Sequence, residues 1–463
     1  MNHNHVVVLD IGKTNVKVVL VDTDTMDEID VVTRPNIVFP GPPWPHFDIQ
    51  GIWDFLLTAL TEFHAKYRID ALSVTAHGAC VVLLDHDGNL AAPVLDYEHT
   101  GPDLVKAEYE KIRPSFAETG SPRLGMGLNV GAQLFWQFKT DPSLQDRVKS
   151  IVTYPQYWSY LLTGVASTDV TSLGCHTDLW NPKKGCFSTL CDILNITENM
   201  APTKLPSDVL GHVLPGVSEL TGLRNDTPVV CGIHDSNASL LPYILTEERP
   251  FSVVSTGTWV ISMSMGDASI ELDPTLDTLI NVNALGDPVP SSRFMGGREY
   301  ELESDGLSYN PALEIMQQVL EEQIMLLPAV VPETGPFKGR KSKWLNSPPN
   351  LCKEQREVAL SFYLALTTAH CLELIGHQGA IILEGPFSKN RAFCEMLFHA
   401  ADTKVFVSGG STGTSLGATL LFYADGADRL GQKLEISSKL DHTSCLNYLT
   451  VWKEANLNNA TEI

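Results

Sequence analysis

The feature that most constrains this chain is a strand–turn–strand unit that occurs twice. Near the N-terminus, Val6-Val7-Val8-Leu9-Asp10 is apolar enough for a buried strand. Ile11-Gly12-Lys13-Thr14-Asn15 then reads as a tight turn, and residues 16–22 return as a second strand. Past the middle of the chain, Phe251-Ser252-Val253-Val254 leads into Ser255-Thr256-Gly257-Thr258, and residues 259–263 return. One recurrence at so long a separation describes a duplicated domain, whereas a solenoid would repeat roughly every 20–50 residues.

Strand and helix signals alternate through both halves. Leu72-Ser73-Val74-Thr75 and residues 81–85 read as strands, the latter followed by the turn His86-Asp87-Gly88-Asn89. In the second half, Ala380-Ile381-Ile382-Leu383 enters the turn Glu384-Gly385-Pro386. A helix over 390–401 follows, then a strand over 404–407, a crossing over 408–413, and a final helix from about Thr414. The fold class is therefore α/β. A polar stretch closing in Pro at 245–250 marks the boundary between halves, 1–245 and 246–463, and the Pro-rich segments 39–46 and 344–351 read as surface loops.

A length of 463 residues is too great for one ordinary core. A net charge of −23 argues against nucleic-acid backbones and anionic membranes as partners, both of which select Lys and Arg. A buried nucleotide site is local and is unaffected by that balance. The nine cysteines form no CxxC pair; Cys186 and Cys191, with His176 upstream, lack the further ligands a zinc site needs. Free thiols, the absence of a secretory pattern and the absence of a long apolar run lead to the expectation of a cytoplasmic protein.

Three stretches carry chemistry. The first turn offers backbone N–H groups to a phosphate, Asp10 could hold Mg²⁺ through water, and Lys13 and Lys17 could neutralise phosphate charge. Gly12-Lys13-Thr14 superficially matches the end of a P-loop, but Val7 stands where its first Gly belongs and a strand follows where a helix is required. The second turn repeats the hydroxyl pattern. The third stretch, Val229-Val230-Cys231-Gly232-Ile233-His234-Asp235-Ser236, is an apolar strand that presents a carboxylate at its tip. Such a group can take the proton of an acceptor hydroxyl during in-line phosphoryl transfer, and it can equally be a helix N-cap.

Together, Asp10-Ile-Gly-Lys-Thr-Asn-Val-Lys17, Gly232-Ile-His-Asp235 and Ser255-Thr-Gly-Thr-Trp259 resemble the FGGY family of carbohydrate kinases. Asp48 and Trp53, Thr75-Ala-His-Gly78, Thr163-Gly164, Gly335-Pro-Phe337, Glu384-Gly-Pro386 and Leu416-Gly-Ala418 follow in family-like order. The resemblance implies two actin-like (ribonuclease H-like) domains flanking a central cleft, the first binding sugar and the second nucleotide. It implies ATP and Mg²⁺ as cofactors and a small sugar as partner, and it allows a homodimer. Carried over by position, Asp235 is the general base and Asp10 with Asp235 lies near the metal. Gly12, Lys13, Thr14 and Lys17 line the first phosphate turn; Thr256, Gly257 and Thr258 line the second. Gly385, Pro386 and Asn390 lie at the adenosine, and His77, Gly78, Glu98, Asp235 and Ser236 contact the sugar.

Several positions depart from the family pattern. Lys13 stands where a small residue is usual, His77 replaces Gln, Asp96-Tyr97-Glu98 replaces a Trp-x-Asp pattern, and Pro386 replaces Gly. The His-Asp and Gly-Thr-Trp details resemble rhamnulose and fuculose kinases, which points to a ketose, with a polyol as the alternative acceptor. Two rival readings exist. Gly409-Gly410-Ser411-Thr412-Gly413 matches a hydrolase nucleophile elbow with Asp441 and His442 downstream, although too little chain follows it for that fold. A non-catalytic actin-like ATP-binding or sugar-binding module would share the fold without needing a base at Asp235.

Overall fold

The computed structural model describes residues 4–266, 270–304, 310–348, 351–408, 413–430 and 433–459. The elbow-like Ser411 and its neighbours 409–412 lie outside that set. The chain forms two compact units. The first comprises Met1–Thr246, Ile280–Pro288 and Thr412–Leu430; the second comprises Glu247–Leu279, Val289–Ser411 and Gly431–Ile463.

In the first unit, β1 (His5–Ile11), β2 (Asn15–Asp22) and β3 (Asp27–Pro35) form an antiparallel meander. β4 (Ala71–Ala76) lies parallel to β1 on its other side. β5 (Val209–His212) and β6 (Pro228–Val230) extend the sheet to give the order β5-β6-β4-β1-β2-β3, and the short β7 (Ile233–His234) also pairs with β4. Both faces of this sheet are covered. Along β1, Val7, Leu9 and Ile11 point into one core with Ile52, Leu56, Leu60 and Phe63 of the helix Ile49–Lys66. Val6 and Val8 point the other way, onto Ala238, Leu241, Ala418 and Leu420. A strand buried on both faces reads as an unbroken apolar run, which is why residues 6–9 show no alternation. The helix Ile49–Lys66 is aimed by its cap: the Asp48 carboxylate accepts from the Gly51 N–H at 2.9 Å and from Arg34 at 3.0 Å.

The second unit repeats the order. β8 (Phe251–Thr256), β9 (Val260–Met265) and β10 (Pro288–Phe294) form the meander, and β11 (Ala380–Glu384) runs parallel to β8. β12 (Val405–Ser408) runs parallel to β11, and β13 (Lys433–Glu435) closes the edge. The helix Lys353–Leu374 is buried along nearly its whole length and packs on the helix Arg391–Ala400.

The helix from Thr414 is not the final one. It stops at Thr419, and the chain continues into the helix His442–Asn459. The Thr414 helix packs in the first unit, where Ser73 Oγ donates to the Ala418 carbonyl at 2.8 Å. Among the described residues, no helix is long and apolar enough to cross a membrane.

Candidate active site

Strand pairing places Asp10 at the open end of β1, opposite Lys17 of β2 and beside Thr75 of β4. The Asp10 side chain is 9% exposed. The Thr414 hydroxyl donates to Oδ2 at 3.1 Å, and the Lys17 ammonium stands 3.9 Å away. Burial pushes its pKa up to about 6 against the pull of Lys17, and Asp235 and Glu28 push it further in the same direction. The turn that follows is held by backbone bonds: Gly12 N–H donates to Asn15 O at 3.0 Å, and Asn36 Nδ2 donates to Gly12 O at 2.8 Å. Thr14 and Lys17 are exposed beyond it.

Lys13 turns away from the other turn residues. Its ammonium pairs with Asp96 and, at 3.3 Å, with Glu98. It also lies over the rings of Tyr97, at 4.7 Å, and Phe47, at 5.1 Å. Those two rings flank His77, with centroids 5.3 and 5.1 Å from the imidazole, and Tyr154 completes the box at 4.8 Å. The His77 N–H bonds Ile11 O at 3.0 Å, fixing the residue to the end of β1. Its Nδ1 sits 2.9 Å from Gly78 O, which can only accept, so Nδ1 carries the proton and Nε2 presents a lone pair. Burial drives the pKa of His77 down to about 4 and keeps the ring neutral. Nε2 is buried and finds no hydrogen-bond partner among the described residues.

Asp235 opens the helix Asp235–Thr246 directly after β7. Its Oδ1 accepts from the Ser236 N–H at 2.6 Å and lies 3.2 Å from His234 Nε2. Its side chain remains about one-third exposed. The preceding residues are rigidly held. Gln156 Nε2 donates to Cys231 O at 3.1 Å and to Gly232 O at 3.0 Å, and the His234 N–H donates to Thr171 Oγ1 at 3.0 Å. The Thr171 hydroxyl in turn donates to the buried Asp169 carboxylate. Gly78 has no room for a side chain, since a Cβ there would lie 2.7 Å from His234 Nε2. Burial opposes charge on His234, yet the adjoining Cys175 sulfur and Asp235 carboxylate hold its pKa up to about 9.

In the second unit the hydroxyl turn meets the Glu384-Gly385-Pro386 turn. Thr256 Oγ1 donates to Glu384 O at 2.6 Å and accepts from the Phe387 N–H at 3.1 Å. Gly385 has φ +83°, and any side chain there would collide with the Thr256 carbonyl, so the position demands glycine twice over. Pro386 begins a short 3-10 turn over Pro386–Lys389. Asn390 caps the next helix by accepting from the Phe393 N–H at 3.1 Å, and its Nδ2 donates to Ser361 at 2.9 Å. Gly257 N–H bonds Trp259 O at 2.9 Å, and Thr258 O accepts from the Arg298 N–H at 3.4 Å.

The expected residues therefore gather as two sets, one per unit. Asp10, Gly12, Lys13, Thr14, Lys17, His77, Gly78, Glu98, Asp235 and Ser236 lie in the first unit; Thr256, Gly257, Thr258, Gly385, Pro386 and Asn390 lie in the second. Sequence reasoning missed Phe47, Tyr154, Asp169, Thr171 and Thr414 as parts of the site. Only Thr414 carried a local signal, as the first residue of a helix after a Gly-rich stretch.

The family model "FGGY family of carbohydrate kinases, N-terminal domain" matches residues 5–242, and "Carbohydrate kinase FGGY, C-terminal domain" matches 248–430. The chain is 22% identical over 321 residues to the L-fuculokinase of Escherichia coli K12, a match covering 68% of this chain and 64% of that protein. It is 23% identical over 266 residues to a probable L-xylulose kinase of Haemophilus influenzae, covering 55% of this chain and 54% of the relative. The match thus spans less than two thirds of either relative's length. A carbohydrate kinase from Novosphingobium aromaticivorans superposes over 100% of both chains with a TM-score of 0.92 and 33% identity. With both family models matched in order across almost its whole length, the chain belongs to the FGGY family of carbohydrate kinases.

Proposed function

We propose that this protein is an ATP-dependent sugar kinase, that its acceptor is a small ketose, and that Asp235 is the general base. The observation that carries this reading is the presence of two groups in the first unit. Asp235 is a partly exposed carboxylate fixed at a helix start, and His77 offers a buried lone pair with no hydrogen-bond partner among the described residues. A hydroxyl-bearing ligand supplies what both lack: an O–H to donate to His77 Nε2 and an O–H proton for Asp235 to take. In the transfer, Asp235 accepts the proton, the acceptor oxygen forms a bond to the γ-phosphorus, and the bond to the bridging oxygen breaks to release ADP. The names L-fuculokinase and L-xylulose kinase among the relatives support an L-ketose.

Among the described residues, no group of three or more His, Cys, Asp or Glu side chains forms a metal cage. Mg²⁺ keeps several waters and takes one or two carboxylates plus phosphate oxygens. Asp10 and Asp235 would hold it, because Asp10 is a buried carboxylate with one hydroxyl donor and a lysine only at 3.9 Å. When bound, the ion neutralises charge on the phosphates. Thr256, Gly257 and Thr258, with Gly385, Pro386 and Asn390, are the nucleotide residues of the second unit in this reading, and 1–245 and 246–463 are the acceptor and nucleotide portions.

A coupled ADP-release assay across ketoses, aldoses and polyols tests the proposal. ADP release that rises with a neutral ketose is expected; release that no acceptor stimulates would sink it.

A further inference from the structure

Lys13 sits in a turn whose neighbours suit phosphate, yet its ammonium is already occupied by Asp96 and Glu98 and lies over Tyr97 and Phe47. Two carboxylates thus surround one cation, and the cluster keeps a net negative charge. The aromatic box shared with His77 places this cluster against the acceptor side. His77 Nε2, which with the Tyr154 hydroxyl lacks a hydrogen-bond partner among the described residues, can only accept a hydrogen bond. Asp235 adds a third carboxylate, which lies 3.2 Å from His234 Nε2. The side-chain groups gathered here are thus mainly acceptors, and the one nearby ammonium is already paired with carboxylates.

We infer that Lys13, Asp96 and Glu98 form a specificity device that selects uncharged polyhydroxy acceptors and rejects sugar acids. A neutral sugar brings several O–H donors, which match acceptor-rich walls. A sugar carboxylate brings only further acceptor atoms and a negative charge, and it meets repulsion from Asp96 and Glu98, whose one ammonium partner is already shared between them. Lys13 orients the two carboxylates and keeps their repulsion tolerable; it is an acceptor-side residue and not a phosphate ligand. The inference rests on the acceptor reading above.

The test compares neutral ketoses with keto-aldonates of equal carbon number by kcat/KM, in the full-length protein with ATP and Mg²⁺. One unit charge facing the uncompensated cluster at short range predicts a preference of about 100-fold for the neutral acceptor. Glu98→Gln leaves one carboxylate per ammonium and should narrow that preference at least about tenfold. Lys13→Met should raise the acceptor KM and leave the ATP KM within about twofold. Equal use of both acceptor classes by the unaltered protein, or a Lys13→Met effect confined to the ATP KM, overturns the inference while leaving kinase activity standing. Turnover of no acceptor of either class overturns both.

Discussion

Asp10, proposed above as a metal ligand, shows how a carboxylate is held against its own solvation. A carboxyl whose pKa rises on folding binds its proton more tightly in the folded chain than in the unfolded one. The resulting destabilisation is absent below its ordinary value of 3.8 and fully expressed above about 6. That difference corresponds to roughly 3 kcal/mol for a group this buried. Asp10→Asn keeps the shape and can still accept from Thr414. In metal-free and nucleotide-free protein it should raise the thermal midpoint at pH 7.5 by roughly 3–6 °C, leave it unchanged near pH 4, and abolish turnover. Calorimetry at the two pH values measures this, and a lowered midpoint at pH 7.5 would contradict it. The residue itself was legible in the sequence, as a carboxylate ending an apolar run; its burial was not, because the Thr414 helix that covers it lies some four hundred residues further along the chain. Likewise the sequence offers Lys13 as a phosphate cation, and only the tertiary fold brings Asp96 and Glu98 to it.

At the scale of elements, the proposed base Asp235 is aimed by a relay that begins well away from it. The buried Asp169 carboxylate caps the short helix Val170–Leu173 and accepts from the Thr171 hydroxyl, whose oxygen accepts the His234 N–H one residue before Asp235. Thr171 is therefore a positioning residue. Thr171→Val removes the acceptor and leaves a buried N–H unpaired, a loss of about 1–3 kcal/mol in stability. Because the start of the Asp235 helix then shifts, kcat should fall roughly tenfold with the acceptor KM within about twofold. Thr171→Ser, which restores the oxygen, should recover the rate; failure of that rescue would assign Thr171 a merely structural role. Local pattern could name β1, β2, β8 and β9, since each is an apolar run broken by a small-residue turn. It could not name the relay, whose members are ordinary Asp, Thr and His residues joined by tertiary contact across sixty residues.

For the whole molecule, the duplicated pattern was the most readable feature, and the sheets repeat it in full: an antiparallel meander followed by parallel strands in the same spatial order. The return of Thr412–Leu430 to the first unit left no trace in local sequence, because it depends on packing of Ala418 and Leu420 beneath β1. The central claim is that phosphoryl transfer to a sugar hydroxyl depends on Asp235. Phosphorus NMR of the protein with ATP, Mg²⁺ and a neutral ketose reads this directly, alongside Asp235→Asn. The unaltered protein should yield a new sugar phosphate ester together with ADP, and the variant should form it about 10²–10⁴-fold more slowly. ADP and inorganic phosphate without an ester, or an ester formed by Asp235→Asn at the unaltered rate, would contradict the account.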